Sequence, residues 1–405
     1  KCTQTPHYEV VFPADILRDG RRVASMLEHL YQPVAKTLAI EPRKITIILT
    51  NNTTQANGFV TLAPRRSEWF GTPPQHGLLG TNEWYTLLAV HEMRHVAQFD
   101  KLDAGFTGFM SWCFGETMQG FFSFWSVPGW VWEGDAVGTE TALTSGGRGR
   151  MPEFDRDIRA LLLSGERYSY YKAFLGSFKD WYPSQYHLGG LLTTRIKRND
   201  GPEKFAEIMR RSANWSFLPF AWSWMSNSEI DRTTVEVYEE TMDEVTALWK
   251  KQEAALVLTR GAVMNRQSRD CWTNYLFPQY LADGSIVAQK WGLDDIYTLV
   301  RIDAQGNENE LCLAALYENP MSVRGTKIVW NEPVADLRWG KRDFMRLCVY
   351  DVATGEKRVL LPESKLFSPA LSPDLKTIAA VEFTPRRECA IVLLDAESGR
   401  ELRRL

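Results

Sequence analysis

The chain has 405 residues, of which 44% are apolar and 24% are charged, and its 47 basic and 50 acidic residues give a formal net charge of -3. That length exceeds what one hydrophobic core usually contains, so two or three domains are expected. The composition excludes a disordered, collagen-like or coiled-coil chain, and the interspersed charges exclude an electrostatic footprint for nucleic acid.

Residues 1–255 carry a mixture of strand and helix patterns. Short apolar runs predict strands at 8–13, 45–49 and 58–62, and apolar residues at helical spacing predict a helix at about 14–38. Helices dominate afterwards, and the same spacing predicts them at 82–100, 131–144, 155–164, 184–198, 202–211 and 228–254. We therefore expect an α+β domain here.

The richest apolar stretch, residues 105–132, contains many aromatic side chains. Glu116, Gln119 and Pro128 interrupt it, and it has no continuous apolar run of about 18 residues, which a membrane-spanning helix requires. We expect no transmembrane segment in this chain, and we expect the aromatic rings to face a core or line a pocket rather than contact a membrane.

Residues 256–405 change to short alternating strands with a repeated ending, an apolar strand followed by Asp and a Gly turn. The three copies are LVRIDAQGN (299–307), CVYDVATGE (348–356) and VLLDAESGR (392–400). Paired strands in units of about 40–50 residues are typical of propeller blades, and about three blades fit. Closed propellers need at least four blades, so we expect an incomplete propeller and a natural protein that continues past Leu405.

The segment HEMRH at 91–95 lies in the predicted helix 82–100. Residues four apart lie on one face of a helix, so His91 and His95 can direct their imidazole groups at one metal ion. Zinc suits neutral imidazole ligands, and a catalytic zinc site keeps a position open for water. Glu92 lies beside that face, where it can act as the general base.

A catalytic zinc site needs a third protein ligand. Lys101 stands where a metzincin would place its third His, which excludes that arrangement. The segment WVWEGDAVGTE (130–140) resembles the EGxAxxxE helix of gluzincins, the clan that contains aminopeptidase N. By that resemblance Glu133 is the third ligand. Glu140 lies two turns further along the same helix face and is a candidate for holding a ligand His in its tautomer.

Two further segments resemble the same clan or differ from it. YHLGGLLTTRIKRNDGPEKF (186–205) resembles its YxKG...GPExF segment, which implies that Tyr186 stabilises the oxyanion, with Tyr182 as the alternative. Aminopeptidases of the clan bind the free amine through a Glu in a GxMEN strand, whereas the segment 56–66 has no acidic residue. An endopeptidase or oligopeptidase is therefore favoured.

The C-terminal SPDLKTIAA (372–380) resembles the signature of TolB-type, WD40-like propellers. Together the resemblances predict a gluzincin-like, zincin-type α+β metallopeptidase domain at 1–255, followed by a partial all-β propeller at 256–405. They imply Zn²⁺ as cofactor, a peptide or protein as substrate, a protein partner on the propeller, and export to a bacterial envelope. The alternatives are a catalytically weak zincin scaffold that binds proteins and a hydrolase of non-peptide amides or esters.

Overall fold

The structure, a computed structural model, describes residues 1–75, 82–259, 261–266, 270–315 and 320–405. The N-terminal part begins with a five-stranded sheet in the order β1-β2-β3-β5-β4. Its strands are β1 (Cys2–Gln4), β2 (Tyr8–Val11), β3 (Ile45–Thr50), β4 (Gly58–Thr61) and β5 (Arg66–Phe70). Strands β2, β3 and β5 are parallel, whereas β4 runs antiparallel to β5 and forms one edge of the sheet.

Helices make up most of the remaining N-terminal part. They are α1 (Leu17–Ala35), α2 (Trp84–Leu102), α3 (Gly105–Phe114), α4 (Glu116–Ser126), α5 (Gly129–Leu143), α6 (Arg156–Leu163), α7 (Tyr170–Leu175), α8 (Gln185–Asn199), α9 (Pro202–Asn214), α10 (Ala221–Ile230) and α11 (Thr234–Ala254). One buried cluster joins the inner face of the sheet to α1 and α2, and a second joins α2, α5, α8, α9 and α11. Helix α2 belongs to both clusters, so its side chains are buried almost throughout.

Helices α5 and α8 cross at two glycines. A Cβ atom built on Gly189 would lie 1.9 Å from the carbonyl oxygen of Trp130, and one on Gly134 would lie 2.0 Å from the carbonyl carbon of Gly189. Real Cβ atoms do not approach backbone so closely, so only glycine permits this crossing. The contact fixes the distance between α5 and α8, which carry opposite walls of the site described below.

The C-terminal part forms antiparallel sheets in which the strands follow one another in chain order. Among the described residues there are three four-stranded sheets. They are β6 (Thr273–Tyr280), β7 (Ile286–Gly292), β8 (Thr298–Ile302) and β9 (Glu308–Leu313); β10 (Ser322–Arg324), β11 (Lys327–Ala335), β12 (Asp343–Asp351) and β13 (Glu356–Ser364); and β14 (Leu366–Leu371), β15 (Thr377–Phe383), β16 (Cys389–Asp395) and β17 (Glu401–Arg404). The predicted propeller-like pattern is confirmed.

The repeated Asp and Gly have a structural reason. Each repeat ends a third strand and turns into a fourth, and the Asp side chain accepts backbone N–H groups of that turn, as Asp395 does from residues 397 and 398. Gly306, Gly355 and Gly399 close the turns with φ of +76°, +75° and +72°, a region that favours glycine. The repeat is therefore a turn motif.

The loop after β3 contacts the second and third of these sheets. The side chain of Asn51 donates to the carbonyl of Pro385 at 2.7 Å, and Lys365 Nζ donates to the carbonyl of Asn52 at 2.6 Å. The Arg387 guanidinium lies 4.0 Å from the centre of the Tyr85 ring on α2. These contacts tie the propeller-like sheets to the part that carries the candidate site.

The aromatic stretch differs from its prediction. Its residues form α3, α4 and the start of α5, and Trp130 and Trp132 are buried as expected. Six other rings are exposed: Phe109, Trp112, Phe114, Phe121, Phe124 and Trp125. Helices α3 and α4 pack mainly on each other and on α9, so their outer faces are uncovered in the described chain. No described helix has the length and apolarity needed to cross a membrane.

Candidate metal centre

Helix α2 places the two predicted histidines. Glu83 caps its N-terminus by accepting the backbone N–H of Thr86 at 2.8 Å. One turn separates His91 from His95, and the two rings lie edge to face with their centres 4.8 Å apart. The predicted helix and the shared face are confirmed, and both imidazoles are largely buried.

Glu133 of α5 completes a cluster with these histidines. Its Oε2 lies 3.2 Å from Nε2 of His91 and 3.4 Å from Nε2 of His95, and the two Nε2 atoms lie 3.2 Å apart. Within the described ranges, these three residues are the group of potential ligands arranged to hold a metal ion. The structure thus brings together the three side chains that the sequence assigned to the metal.

Hydrogen bonds on the far side of each ring set its orientation. Nδ1 of His91 lies 3.1 Å from Oε2 of Glu140, and Nδ1 of His95 lies 2.8 Å from Oε1 of Gln98. The amide of Gln98 donates in turn to the Trp132 carbonyl at 3.0 Å, which directs its oxygen at His95. With the Nδ1 proton of His95 held by Gln98, the Nε2 of His95 presents a lone pair to the centre of the cluster. Nδ1 of His91 lies between an acceptor, Oε2 of Glu140, and a donor, Nη2 of Arg148.

The residues fit a tetrahedral metal. Ligand atoms about 2.0–2.1 Å from a zinc ion stand roughly 3.3–3.4 Å from one another at tetrahedral angles, close to the three distances above. Two nitrogen lone pairs and a carboxylate oxygen facing one another repel unless a cation or a proton lies between them. In the metal-free protein, burial lowers the pKa of His95, but the hydrogen bond and charge of Glu133 outweigh it and raise the pKa to about 9. A divalent cation bound between the three ligand atoms would relieve the same repulsion as that proton does.

Glu92, the predicted general base, lines the same cavity as His91, His95 and Glu133. Its side chain is buried, and its Oε2 has no hydrogen-bond partner among the described residues. Burial raises the pKa of this carboxyl, against the opposing charges of His91 and His95. A buried carboxylate with an unpaired oxygen needs a polar partner such as water, and a carboxylate whose pKa is raised accepts a proton more readily than an ordinary one.

Tyr186, at the start of α8, lies across the cleft from α2. Its ring centre is 6.3 Å from that of His91, and the Arg148 guanidinium lies 4.7 Å from the centre of its ring. Burial, followed by the charge of Glu133, raises the pKa of Tyr186 to about 12. The phenol therefore keeps its proton and can donate a hydrogen bond. Tyr182, the alternative, packs near Gly176 and does not line the cleft.

Asp135 is excluded as a substitute ligand because it is already paired. Its oxygens accept from Nε and Nη2 of Arg94 at 2.8 and 2.9 Å and from the Gln98 amide at 2.7 Å, and Lys197 forms a further ion pair with it. Burial raises the pKa of Asp135, but the Arg94 and Lys197 charges hold it well below its usual range. These hydrogen bonds and ion pairs connect α2 to α5 and α8.

Sequence reasoning missed two of the supporting residues. Gln98 lies three positions after His95, a spacing that brings helical side chains together, so its role was open to inference. Arg148, in the turn after α5, donates from Nε to Oε1 of Glu140 at 2.7 Å and lies 2.8 Å from Nδ1 of His91. Nothing in its sequence position indicated this contact.

Two cavities adjoin the cluster and share Gly58, His91, Glu92 and Tyr186. The larger has about 350 Å³ and extends toward the N-terminal half of α2. The smaller has about 230 Å³ and extends toward the C-terminal half of α2. The smaller one is also lined by Phe59, Val60, His95, Phe99, Phe124, Trp132 and Glu133. The cluster thus lies at the junction of two spaces open to a ligand.

No protein-family model matches the chain, and no curated protein matches it. The β-propeller domain of the Trilobed protease from Pyrococcus furiosus is 17% identical over 33% of this chain and 42% of its own, with a TM-score of 0.24. A Mycobacterium tuberculosis puromycin-hydrolyzing peptidase is 17% identical over 33% of this chain and 21% of its own, with a TM-score of 0.25. TolB from Acinetobacter baumannii is 13% identical over 33% of this chain and 43% of its own, with a TM-score of 0.20. This chain therefore spans less than half of each of these proteins.

These matches correct two expectations. They are the β-propeller domain of a protease, a puromycin-hydrolyzing peptidase and TolB, and none of them is described as a gluzincin. The assignment to the gluzincin clan is therefore wrong, and so is the enzyme class taken from it, a gluzincin-type zinc metallopeptidase. The zincin-type fold expected for the N-terminal part is unsupported, and the helical part is not identified with a family. The C-terminal sheets resemble propeller domains of TolB and of peptidases.

Proposed function

We propose that the cleft between β4 and α8 is the active site of a hydrolase that cleaves peptide bonds, with a water molecule activated at a divalent-metal site and zinc as the metal. One observation carries the proposal: the ligand atoms of His91, His95 and Glu133 converge, and the buried carboxylate of Glu92, with one unpaired oxygen, lines the same cavity. The proposal depends on these contacts and on no family membership.

The roles of the residues follow from their positions. A bound divalent cation supplies Lewis-acid polarisation of a carbonyl and a lowered pKa for water. Glu92 takes a proton as the water oxygen attacks the carbonyl carbon, and it returns the proton to the nitrogen as the C–N bond breaks. The phenol of Tyr186 donates a hydrogen bond to the oxyanion. Gln98 holds the Nδ1 proton of His95, and Glu140 and Arg148 fix the orientation of the His91 ring through its Nδ1.

Strand β4 favours an extended peptide as substrate. It forms an edge of its sheet, so its outward backbone groups are free to pair with another extended chain. A Cβ atom on Gly58 would lie 2.6 Å from Cδ2 of Leu88 and 3.1 Å from Oε1 of Glu92, so the strand runs directly beside the base. The absence of an acidic side chain at 56–66 favours cleavage within a chain over removal of an N-terminal residue.

The test is a peptide-library digest, with and without a chelator, together with elemental analysis of the purified protein. Glu92→Gln should keep about one zinc per chain and lose roughly 10²–10⁴-fold in cleavage rate, because the general base is removed. Glu133→Ala should weaken zinc binding by more than about 100-fold, since outer-shell changes alone cost 10–100-fold.

Glu332→Gln is the matched control, a buried carboxylate in β11 that accepts from Nε1 of Trp330 at 3.0 Å. This variant should retain both zinc and cleavage. Full turnover by Glu92→Gln, or unchanged zinc content in Glu133→Ala, would refute the assignments. Stoichiometric zinc without cleavage of any peptide would leave the binding-protein alternative or an ester or non-peptide amide substrate.

The wider organisation remains a prediction within this proposal. We retain the division into 1–255 and 256–405, a peptide or protein as substrate, and a protein partner on the propeller-like sheets. Export to a bacterial envelope is likewise retained, and fractionation of cells that express the natural gene would test it.

A further inference from the structure

The smaller cavity beside the metal cluster has apolar walls on several sides. Phe99 of α2, Phe124 of α4, Trp132 of α5 and Val60 of β4 line it, and His95 and Glu133 close the end next to the metal. The ring centre of Trp132 lies 4.7 Å from that of Phe99 and 5.0 Å from that of Phe124. Four separate elements thus form one aromatic chamber.

The chamber has the size and chemistry to hold a ring. The cavity, including the space beside the metal cluster, has about 230 Å³, and an apolar protein cavity of about 150 Å³ is enough to bind benzene. Phe99 and Trp132 are buried and packed in the core, so these two walls are firm. Phe124 is 59% exposed and forms the side toward solvent, through which a side chain can enter.

We infer that this chamber is a specificity pocket for a large apolar side chain, Phe, Leu or Met, of the peptide that the active site cleaves. The inference rests on the proposed function for the location of the scissile bond. A peptide paired with β4 passes Val60 and Glu92, so a residue next to the scissile bond lies at the mouth of the chamber. Among the described residues that line the chamber, the charged groups are those of the metal cluster and Glu92, so a charged substrate side chain would lack a partner of its own.

The experiment compares labelled peptides that differ only in having Phe or Ala at one position, moved stepwise along the sequence. Binding to the full chain is measured by fluorescence anisotropy in chelator, where hydrolysis is absent, and cleavage is measured separately with zinc. The wild-type protein should bind the best Phe peptide about tenfold more tightly than its Ala counterpart, and this ratio is about 1.4 kcal/mol. Cleavage should occur next to the same Phe.

Two variants test the walls. Phe124→Ala should reduce the Phe-to-Ala affinity ratio to less than about threefold, and Val60→Phe, which fills the chamber, should abolish the preference. Phe121→Ala is the control: it lies on the same helix and is 56% exposed, but it does not line the chamber. Its affinity ratio should equal that of the wild type.

The outcomes separate this inference from the proposed function. A Phe preference in binding that Phe124→Ala removes supports the pocket even if no peptide is cleaved, in which case the hydrolase proposal fails. Zinc-dependent cleavage without any preference for an apolar residue overturns the pocket and leaves the hydrolase proposal intact. An equal loss of preference in Phe124→Ala and Phe121→Ala would also overturn it.

Discussion

Replacing Asp135 by Asn removes the negative charge that pairs with two largely buried cations, Arg94 and Lys197. Arg94 is fully buried, and its guanidinium has two hydrogen bonds to Asp135 and one from Nη1 to the Val34 carbonyl at 2.6 Å. The substitution keeps the shape of the side chain but leaves Arg94 and the mostly buried Lys197 without a counter-charge. Breaking a buried ion pair from one side costs about 3–5 kcal/mol of the free energy of unfolding.

Urea titration followed by tryptophan fluorescence measures this loss. The midpoint of the transition that reports the helical part should fall by more than about 1 M. The control is Asp157→Asn, which removes an exposed pair with Arg156 at 2.9 Å and should change the free energy by less than about 1 kcal/mol. Equal midpoints for the two variants would refute the reasoning.

The same variant has a defined pH dependence. The folded-state pKa of Asp135 lies below its unfolded value, so the stability from its ionised form is fully present above about pH 4 and is lost as the pH falls through the folded pKa. The difference in unfolding free energy between the wild type and Asp135→Asn should therefore narrow below about pH 4. A difference that widened on acidification would contradict the assigned charge state.

Three further changes test other parts of the fold. Gly189→Ala should force α8 away from the Trp130 carbonyl, cost about 1–3 kcal/mol in thermal unfolding and weaken zinc retention. Alkylation at pH 8, read by mass spectrometry, should modify the exposed Cys113 and spare Cys348, because burial raises the pKa of the Cys348 thiol to about 12. Glu83→Ala should lose about 1 kcal/mol of unfolding free energy, because it removes the N-cap of α2.

The elements with strong periodicity were predictable from the sequence. The HEMRH helix was predicted at 82–100 and is Trp84–Leu102, and the strand predicted at 45–49 is Ile45–Thr50. Strand β5, RSEWF, was missed because charged and polar residues at its start hide the apolar pattern. The identity of the three converging side chains was also readable, since two follow from helical spacing and one from a resemblance.

Contacts across long sequence distances were not predictable. The aromatic residues of this stretch stand at mixed spacing, so they give no single period that distinguishes a core helix from an exposed one, and the exposure of Trp112 and Phe121 could not be foreseen. Arg148 reaches His91 only because the chain reverses after α5. The family assignment failed for a different reason: short motifs report local geometry and chemistry but do not establish membership of a clan.

The glycine contact between α5 and α8 and the side chains that line the cleft determine two different properties, the spacing of the helices and the space available to a ligand. The backbone contact sets the spacing between the helices that carry Tyr186 and Glu133, whereas side chains such as Phe124 limit the size of a ligand that can lie beside them. A substitution at Phe124 can therefore change the space beside the metal cluster without touching the backbone contact that spaces the two helices.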